Sequence, residues 1–177
     1  WDFDYIGTET ETGSYPNYKG LSFDPDHQGK MSWTSEQIFE ELESILNETG
    51  YPDIVLFSSP GGNDILDGLP YENVIENING IIDIFQNRNP DIVILIEQLA
   101  PGKTSFMTPE LNAIFDQVIL DVETIAQEQT NENSQVIAVN MFEGFADRYL
   151  ADDIHYNAEG AEFIAQRYYE VLETLLE

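Results

Sequence analysis

The chain contains no cysteine among its 177 residues. This absence excludes disulfides, thiolate metal sites and a cysteine nucleophile, and it leaves the redox compartment undetermined. Basic residues are also scarce, because six Lys and Arg stand against 34 Asp and Glu for a formal charge of -28. Such a surface repels phosphate backbones and anionic lipids, so neither nucleic acid nor a membrane is an expected partner. Adaptation to salty or cation-rich surroundings and simple acidic solubility both account for the charge.

Long apolar runs are missing as well. No run approaches the ~20 residues that span a bilayer. The sequence does not begin with a basic segment followed by an apolar one, as a secretory leader does, and a leader that has already been removed remains an alternative. Hydrophobic residues make up 42% of the chain, enough for one domain with a substantial core. We therefore expect a single domain over residues 1–177.

Strand-like runs alternate with helical ones, which is typical of a parallel α/β sheet. Two of the runs are near copies, each rich in β-branched residues after a proline, as buried parallel strands are. The predicted strands are 2–7, 53–59, 91–97 and 135–140.

Start signals mark the predicted helices. Thr34 and Gln37 have capping-box spacing, and Thr108-Pro109 is the preferred order of cap and first-turn proline. Asn157 is expected to cap the last helix. The irregular stretches that remain would lie largely at the carboxyl ends of the strands, where α/β proteins place their active sites. They are 8–33, 60–70, 98–107 and 140–156.

The segment Asp152-Asp153-Ile154-His155 lies in the last of these stretches, and the chain has only two histidines. An Asp three residues ahead of a His can orient the imidazole so that it accepts a proton from a hydroxyl. The alternative is an ordinary surface loop with a helix-capping acidic pair. The pattern predicts Asp152 and His155 as catalytic residues.

A second motif, Gly61-Gly62-Asn63-Asp64, follows the 53–59 strand. Its glycines permit a sharp turn, and Asn63 could present its amide to an oxyanion, although a simple Gly-Gly-Asn turn explains the motif equally well. A second oxyanion donor could come from the backbone just before the 34–49 helix. Asp24, Asp26 and Gly29 echo part of a calcium loop without its terminal Glu, so no metal site is expected.

Taken in order, four blocks of this chain resemble the later blocks of the SGNH (GDSL-like) hydrolases, and most nearly the acetyl xylan esterase branch of the carbohydrate esterases. The blocks are Tyr5 to Thr8, Asp24 to Trp33, Gly61 to Asp64 and Asp152 to Gly160. The resemblance covers nearly the whole chain. It implies a flavodoxin-like three-layer α/β/α sandwich with a parallel sheet. It also implies an extracellular ester hydrolase with a Ser-His-Asp triad and no metal or organic cofactor.

Carried over by motif, the resemblance implies that Asp152 and His155 are the triad acid and base and that Asn63 is the side-chain oxyanion donor. It implies a backbone oxyanion donor in the Gly29 to Trp33 block, where Ser32 stands in place of the family's glycine. A backbone N–H tolerates that exchange if the dihedral angles suit a residue with a side chain.

The family's first block, Gly-Asp-Ser, does not occur in this sequence. In the family it lies on the first strand, so we expect a fold that lacks this strand and a nucleophile that lies upstream of residue 1 or on another chain, such as a cleaved N-terminal segment. The loop serines of the chain show no strand-to-helix elbow that would make one a substitute. They are Ser32, Ser58, Ser59 and Ser105.

The expected function is therefore a serine esterase acting on a small ester or an acetylated carbohydrate. The alternative is a catalytically inactive module that binds acetylated glycans. Loop aromatics such as Tyr15, Trp33 and Tyr149 could form a sugar platform, although packing beneath the loops accounts for them as well.

Overall fold

The computed structural model describes residues 3–176. Its N-terminal part forms two short strands, β1 (Glu9–Thr10) and β2 (Asp26–His27), which pair with each other in antiparallel orientation. The elements that follow are α1 (Ser35–Thr49), β3 (Ile54–Phe57), α2 (Gly62–Leu66), α3 (Tyr71–Arg88), β4 (Val93–Gln98), α4 (Pro109–Gln129), β5 (Gln135–Asn140) and α5 (Ala158–Leu176). A 3-10 turn, Asp147–Tyr149, lies in the loop before α5.

The central sheet has three parallel strands in the order β3, β4, β5. In register, Phe57 lies beside Ile96, and Gln98 lies beside Asn140. The predicted parallel α/β sheet is confirmed. Because all three strands run the same way, the loops that follow them leave the sheet at one edge.

Helices cover both faces of the sheet and make three layers. Ile94 and Ile96 on β4 pack into the core formed with α1, α3 and α4, while Leu95 between them packs with α5 on the opposite face. All three side chains are fully buried, as expected for a central strand whose side chains alternate between the faces. No helix within residues 3–176 combines the length and apolarity needed to cross a membrane.

The helix starts follow the predicted caps. The Thr34 hydroxyl accepts the backbone N–H of Gln37, and the Gln37 side chain accepts the backbone N–H of Thr34, which completes a capping box. Thr108 accepts the N–H of Leu111 at the start of α4. Asn157 Oδ1 accepts the N–H of Gly160 in the first turn of α5. These predictions are confirmed.

The predicted strand 2–7 is wrong over residues 3–7, and residue 2 lies outside the described residues. Side chains occupy the backbone donors there: the N–H of Tyr5 donates to Asp24 (2.8 Å), and the N–H of Thr8 donates to Gln28 (2.8 Å). The alternating pattern needs a neighbouring strand to become part of a sheet, and none lies beside this segment among the described residues.

Candidate active site

Asp152 and His155 form a hydrogen-bonded pair in the loop between β5 and α5. Oδ2 of Asp152 lies 2.8 Å from Nδ1 of His155, and Oδ1 accepts the backbone N–H groups of Ile154 (3.0 Å) and His155 (2.8 Å). The N–H of His155, followed by that of Ile154 and by the imidazole, lowers the pKa of the Asp152 carboxyl well below its ordinary value. The side chain of Asp152 is thus an anion that orients the ring.

The imidazole is open on its other side. The His155 side chain is 74% exposed, and within residues 3–176 Asp152 is its hydrogen-bond partner, so Nε2 is left for a substrate or a nucleophile. Asp153, the neighbouring acid, uses its backbone oxygen to accept the N–H of Lys103 (2.8 Å). A ring held at Nδ1 and open at Nε2 has the geometry of a general base.

Backbone contacts hold the loop that carries this pair. The N–H of Ala151 donates to the carbonyl of His155 (2.8 Å), and Leu150 pairs with Tyr156 in an isolated β-bridge. Gly160 lies so close to the Tyr149 carbonyl oxygen that a Cβ on this residue would be 2.1 Å from it. The start of α5 and the His155 loop are therefore held together closely.

Asn63 is the second residue of α2, directly after the turn that leaves β3. Gly61 adopts a left-handed conformation (φ 72°), and a Cβ there would lie 2.3 Å from Val74, so this position requires glycine. The Asn63 side-chain amide donates to the backbone oxygen of Trp33 (2.8 Å). This bond brings Asn63 beside the segment that contains Ser32.

Ser32 and Gly29 lie on that segment. Their backbone N–H groups differ in whether they already form a hydrogen bond. Ser32 has a left-handed backbone (φ 60°), which a residue with a side chain seldom adopts. The N–H of Gly29 donates to Nδ1 of His27 (3.1 Å). The donor on Gly29 is thus engaged within its own turn, and His27 acts as a structural acceptor.

Asp64 joins the Asn63 turn to the first helix, a contact that the sequence did not reveal. Its carboxylate is 2% exposed and accepts both the backbone N–H (2.8 Å) and the hydroxyl (2.7 Å) of Ser35. Asn77 on α3 donates to the same hydroxyl (3.0 Å). Three helices therefore meet at this buried polar cluster, which fixes the position of the neighbouring Asn63.

A second buried carboxylate, Glu97, lies near the carboxyl end of β4. It is 3% exposed, and its two oxygens accept the N–H of Ser59 (2.7 Å) and the hydroxyl of Tyr168 (2.9 Å). Burial raises the pKa of Glu97, and the two hydrogen bonds oppose that rise. The signal for it in the sequence is an acid directly after the apolar run Val93-Ile94-Leu95-Ile96.

The two halves of the predicted site leave the same edge of the sheet. Asp152 and His155 form one hydrogen-bonded group, and Asn63 and the segment around Ser32 form another. Among the hydrogen bonds of residues 3–176, none joins the groups directly. Glu97 contacts an element next to each group, because its oxygens accept the N–H of Ser59 before the Asn63 turn and the hydroxyl of Tyr168 on the helix after the His155 loop.

No serine of the chain is placed as a nucleophile within the part that the structure describes. Ser32, Ser58, Ser59 and Ser105 are exposed, and none forms a hydrogen bond with His155. The described residues therefore offer a hydrogen-bonded Asp152–His155 pair and, in a separate group, the side-chain amide of Asn63.

Comparisons with known proteins give structural matches alone. No family model and no curated protein matches the sequence. An acetyl esterase with a serine replaced by alanine and with an acetate ion superposes with a TM-score of 0.82 at 24% identity, over 97% of this chain and 81% of that one. A carbohydrate esterase family 3 structure from Talaromyces cellulolyticus gives 0.81 at 24% identity, with the same coverage. AlinE4, an SGNH-hydrolase family esterase, gives 0.53 at 20% identity over 89% of this chain and 78% of that one.

The fold is that of the SGNH hydrolases. At these identities the likeness establishes the architecture and leaves the chemistry to the site itself. The SGNH fold predicted from the sequence blocks is thus confirmed by superposition over nearly the whole chain.

In this SGNH fold one edge of the sheet is open. Within residues 3–176, β3 pairs with β4 and with no other strand. Leu56 of β3 lies in register with the fully buried Leu95, yet it remains 40% exposed. Leu56 also lines a groove of about 520 Å³, whose other walls include Phe3 and Tyr5 of the N-terminal segment and Ile164, Tyr168 and Leu172 of α5.

The loop aromatics of the chain pack mainly on one another. Phe145 contacts Tyr149, Tyr156 and Phe163 at centroid distances of 5.3, 5.6 and 5.6 Å. Tyr15 packs against Phe23 (4.1 Å). These contacts favour the packing interpretation of the loop aromatics over the sugar platform.

Proposed function

We propose that this SGNH-fold chain supplies the acid-base part of a serine ester hydrolase that removes acetyl groups from carbohydrates outside the cell. The observation that carries the proposal is the Asp152–His155 pair, with 2.8 Å between carboxylate and ring nitrogen and an exposed imidazole. A ring held in this way accepts a proton from a hydroxyl and returns it to a leaving group. Likeness to an acetyl esterase and to a family 3 carbohydrate esterase supports the choice of substrate.

The proposed nucleophile is a serine outside residues 1–177, either upstream in the same protein or on another chain such as a cleaved N-terminal segment. Two observations support this. The serines of the described residues do not bind His155, and the open edge of β3 has an apolar groove beside it. An added strand would pair with β3 and cover Leu56.

Each residue then has a defined role in the reaction. His155 takes the proton of the serine hydroxyl as its oxygen attacks the ester carbonyl, and Asp152 stabilises the resulting imidazolium. The amide of Asn63 and a backbone N–H at Ser32 donate to the oxyanion, with Gly29 as a further donor once its bond to His27 opens. His155 protonates the departing sugar oxygen, and water then releases acetate by the same steps. The proposal needs neither a metal nor an organic cofactor.

The decisive experiment compares residues 1–177 with the same chain extended by the in-frame segment that precedes residue 1. Both proteins are treated with a fluorophosphonate probe, and the labelled serine is identified by peptide mass spectrometry. We expect labelling of the extended protein at an upstream serine, and its loss in His155→Ala. Equal labelling of the 1–177 chain at one of its own serines would contradict the proposed position of the nucleophile.

The alternative is a catalytically inactive module that binds acetylated glycans. The observation that favours it is the absence, within residues 3–176, of a serine bound to His155. Binding of an acetylated oligosaccharide by a protein that stays unlabelled, with or without the upstream segment, would support this module over the esterase.

A further inference from the structure

Glu97 is buried without a compensating cation among the described residues. The ion pairs within residues 3–176 are Lys30–Glu9, Arg88–Glu43 and His155–Asp152, and none involves Glu97. A carboxylate placed in an apolar sheet costs stability unless its oxygens are hydrogen-bonded. A leucine or isoleucine would pack in this sheet at lower cost, as the neighbouring Ile96 does. The groups that Glu97 binds should therefore explain why an acid occupies this buried position.

One oxygen of Glu97 holds the first residue of the turn that carries Asn63. Ser59 has a left-handed backbone (φ 48°), and its N–H donates to Glu97 (2.7 Å). The carbonyl of Ser59 in turn accepts the N–H of Gly62 (3.1 Å), next to Asn63. A strained residue persists only where its surroundings determine its conformation, and the Glu97 bond is the contact that does so here.

The other oxygen of Glu97 holds the helix that follows the His155 loop. It accepts the hydroxyl of Tyr168 on α5 (2.9 Å), and the first turn of α5 is fixed to that loop by the Asn157 cap. One carboxylate thus spans from the Asn63 turn to the helix behind His155. Its two bonds reach elements that are 109 residues apart in sequence, from Ser59 to Tyr168.

We infer that Glu97 is a positioning residue, which sets the Asn63 turn relative to α5 so that the amide donor and the His155 ring face one substrate. The inference rests on the proposed function for its catalytic meaning. Glu97 touches no reacting atom and acts through Ser59 and Tyr168. Its contribution is to fix the distance between Asn63 and His155, which must act on two different oxygen atoms of one ester.

The test compares two substitutions that both fill the space of Glu97. In Glu97→Gln the amide oxygen still accepts the Ser59 N–H, and the amide nitrogen donates to the Tyr168 oxygen. In Glu97→Met neither bond can form, although the volume is similar and the methionine suits an apolar site. Tyr168→Phe is a third variant, which removes the α5 bond alone.

The first measurement is amide hydrogen exchange by NMR in residues 1–177, with the core amides of Leu95 and Val122 as internal references. We expect exchange at Ser59 to rise by about 10-fold or more over the references in Glu97→Met, and to stay near the unaltered rate in Glu97→Gln. Equal protection of Ser59 in both variants would overturn the inference, since Glu97 would then not fix the turn.

The second measurement is ester hydrolysis by the protein extended to include its nucleophile. In Glu97→Met we expect kcat to fall by about 10- to 100-fold with KM nearly unchanged, because an oxyanion donor acts mainly in the transition state. Glu97→Gln should retain kcat within about 3-fold. An equal loss in both variants, or none in either, would overturn the positioning role. If the unaltered extended protein hydrolyses no ester, the proposed function falls, and the exchange experiment still decides whether Glu97 positions the turn.

Discussion

Oδ2 of Asp152 lies 2.8 Å from Nδ1 of His155, while Oδ1 of the same carboxylate accepts the backbone N–H of His155. One side chain therefore holds both the imidazole and the peptide that bears it. The two functions can be separated, because an asparagine at this position could still cap the backbone but would carry no charge.

Asp152→Asn should lower kcat/KM for ester hydrolysis by about 10²- to 10⁴-fold in the protein extended to include its nucleophile, since the imidazolium loses its anionic partner. The loop should keep its backbone bonds, so circular dichroism and the unfolding midpoint should change little. Asp153→Asn is the matched control, because that neighbouring side chain forms no hydrogen bond within the described residues. Similar activity losses in both variants would contradict the assignment.

Asn63→Ala should lower kcat by about 10²- to 10³-fold in the same extended protein, the range for loss of one oxyanion donor. The free energy of unfolding should fall by about 1 kcal/mol as the bond to the Trp33 carbonyl is lost. Asn73→Ala serves as the control and should leave kcat unchanged, because it removes an amide from an exposed position at the start of α3. Unchanged kcat in Asn63→Ala, measured in steady-state assays, would remove Asn63 from the site.

Asp64→Ala should reduce the free energy of unfolding by about 2–4 kcal/mol, because it leaves the buried N–H and hydroxyl of Ser35 without their acceptor. Urea unfolding followed by tryptophan fluorescence measures the change. Asp67→Ala, an exposed acid just beyond the same helix, should alter stability by less than about 0.5 kcal/mol. A small effect of Asp64→Ala would show that this polar cluster contributes little.

Glu97→Gln should change how stability depends on pH. Burial raises the pKa of Glu97 in the folded protein above its ordinary value of 4.5, so the folded state holds this proton more tightly than the unfolded state does. The resulting stability is fully present below pH 4.5 and is lost as the pH rises through the folded pKa.

The glutamine does not titrate, so the unfolding free energy of the unaltered protein should fall relative to that of Glu97→Gln as the pH rises. Tyr168 donates its hydroxyl to the carboxylate, and the pKa values of Tyr168 and Tyr156 are raised by burial first and by Glu97 next, so both tyrosines stay neutral over this range. Urea titrations at several pH values between about 4 and 8 measure the difference. A difference that is constant with pH would contradict the prediction.

Leu56→Lys tests the open edge of the sheet. In the 1–177 chain the substitution should cost less than about 1 kcal/mol, because this side chain is 40% exposed. In the extended protein an added strand would cover the position, and the loss should reach about 2–3 kcal/mol. Thermal unfolding of the four proteins gives both values, and equal losses in the two backgrounds would argue against a strand at this edge.

Local signals in the sequence were sufficient for most of the fold. The apolar runs that became β4 and β5 are strands buried by their neighbours, so pattern and burial agree. The Thr34, Thr108 and Asn157 caps depend on residues within one turn, which a sequence displays directly. The Asp152–His155 pair is likewise local, and it formed as the spacing predicted.

Contacts between distant residues could not be foreseen in this way. The segment at 3–7 alternates like a strand, but its pairing depended on a neighbour that no local pattern reveals. Glu97 reaches Ser59 across 38 residues and Tyr168 across 71, and Asp64 reaches Ser35 across 29. An acid in an apolar strand was a visible irregularity, yet its partners depend on how the chain folds.

Within the part of the chain that the structure describes, one side of β3 has no paired strand, and this affects how the chain behaves in concentrated solution. Free N–H and C=O groups beside an exposed Leu56 form a template on which a second molecule can pair, the usual first step of self-association. The net charge of -28 keeps molecules apart, and this repulsion acts over about 10 Å at 0.1 M ionic strength but over about 3 Å at 1 M. We therefore expect the chain to self-associate more readily in concentrated electrolyte than in dilute buffer, where electrostatic repulsion opposes contact between molecules.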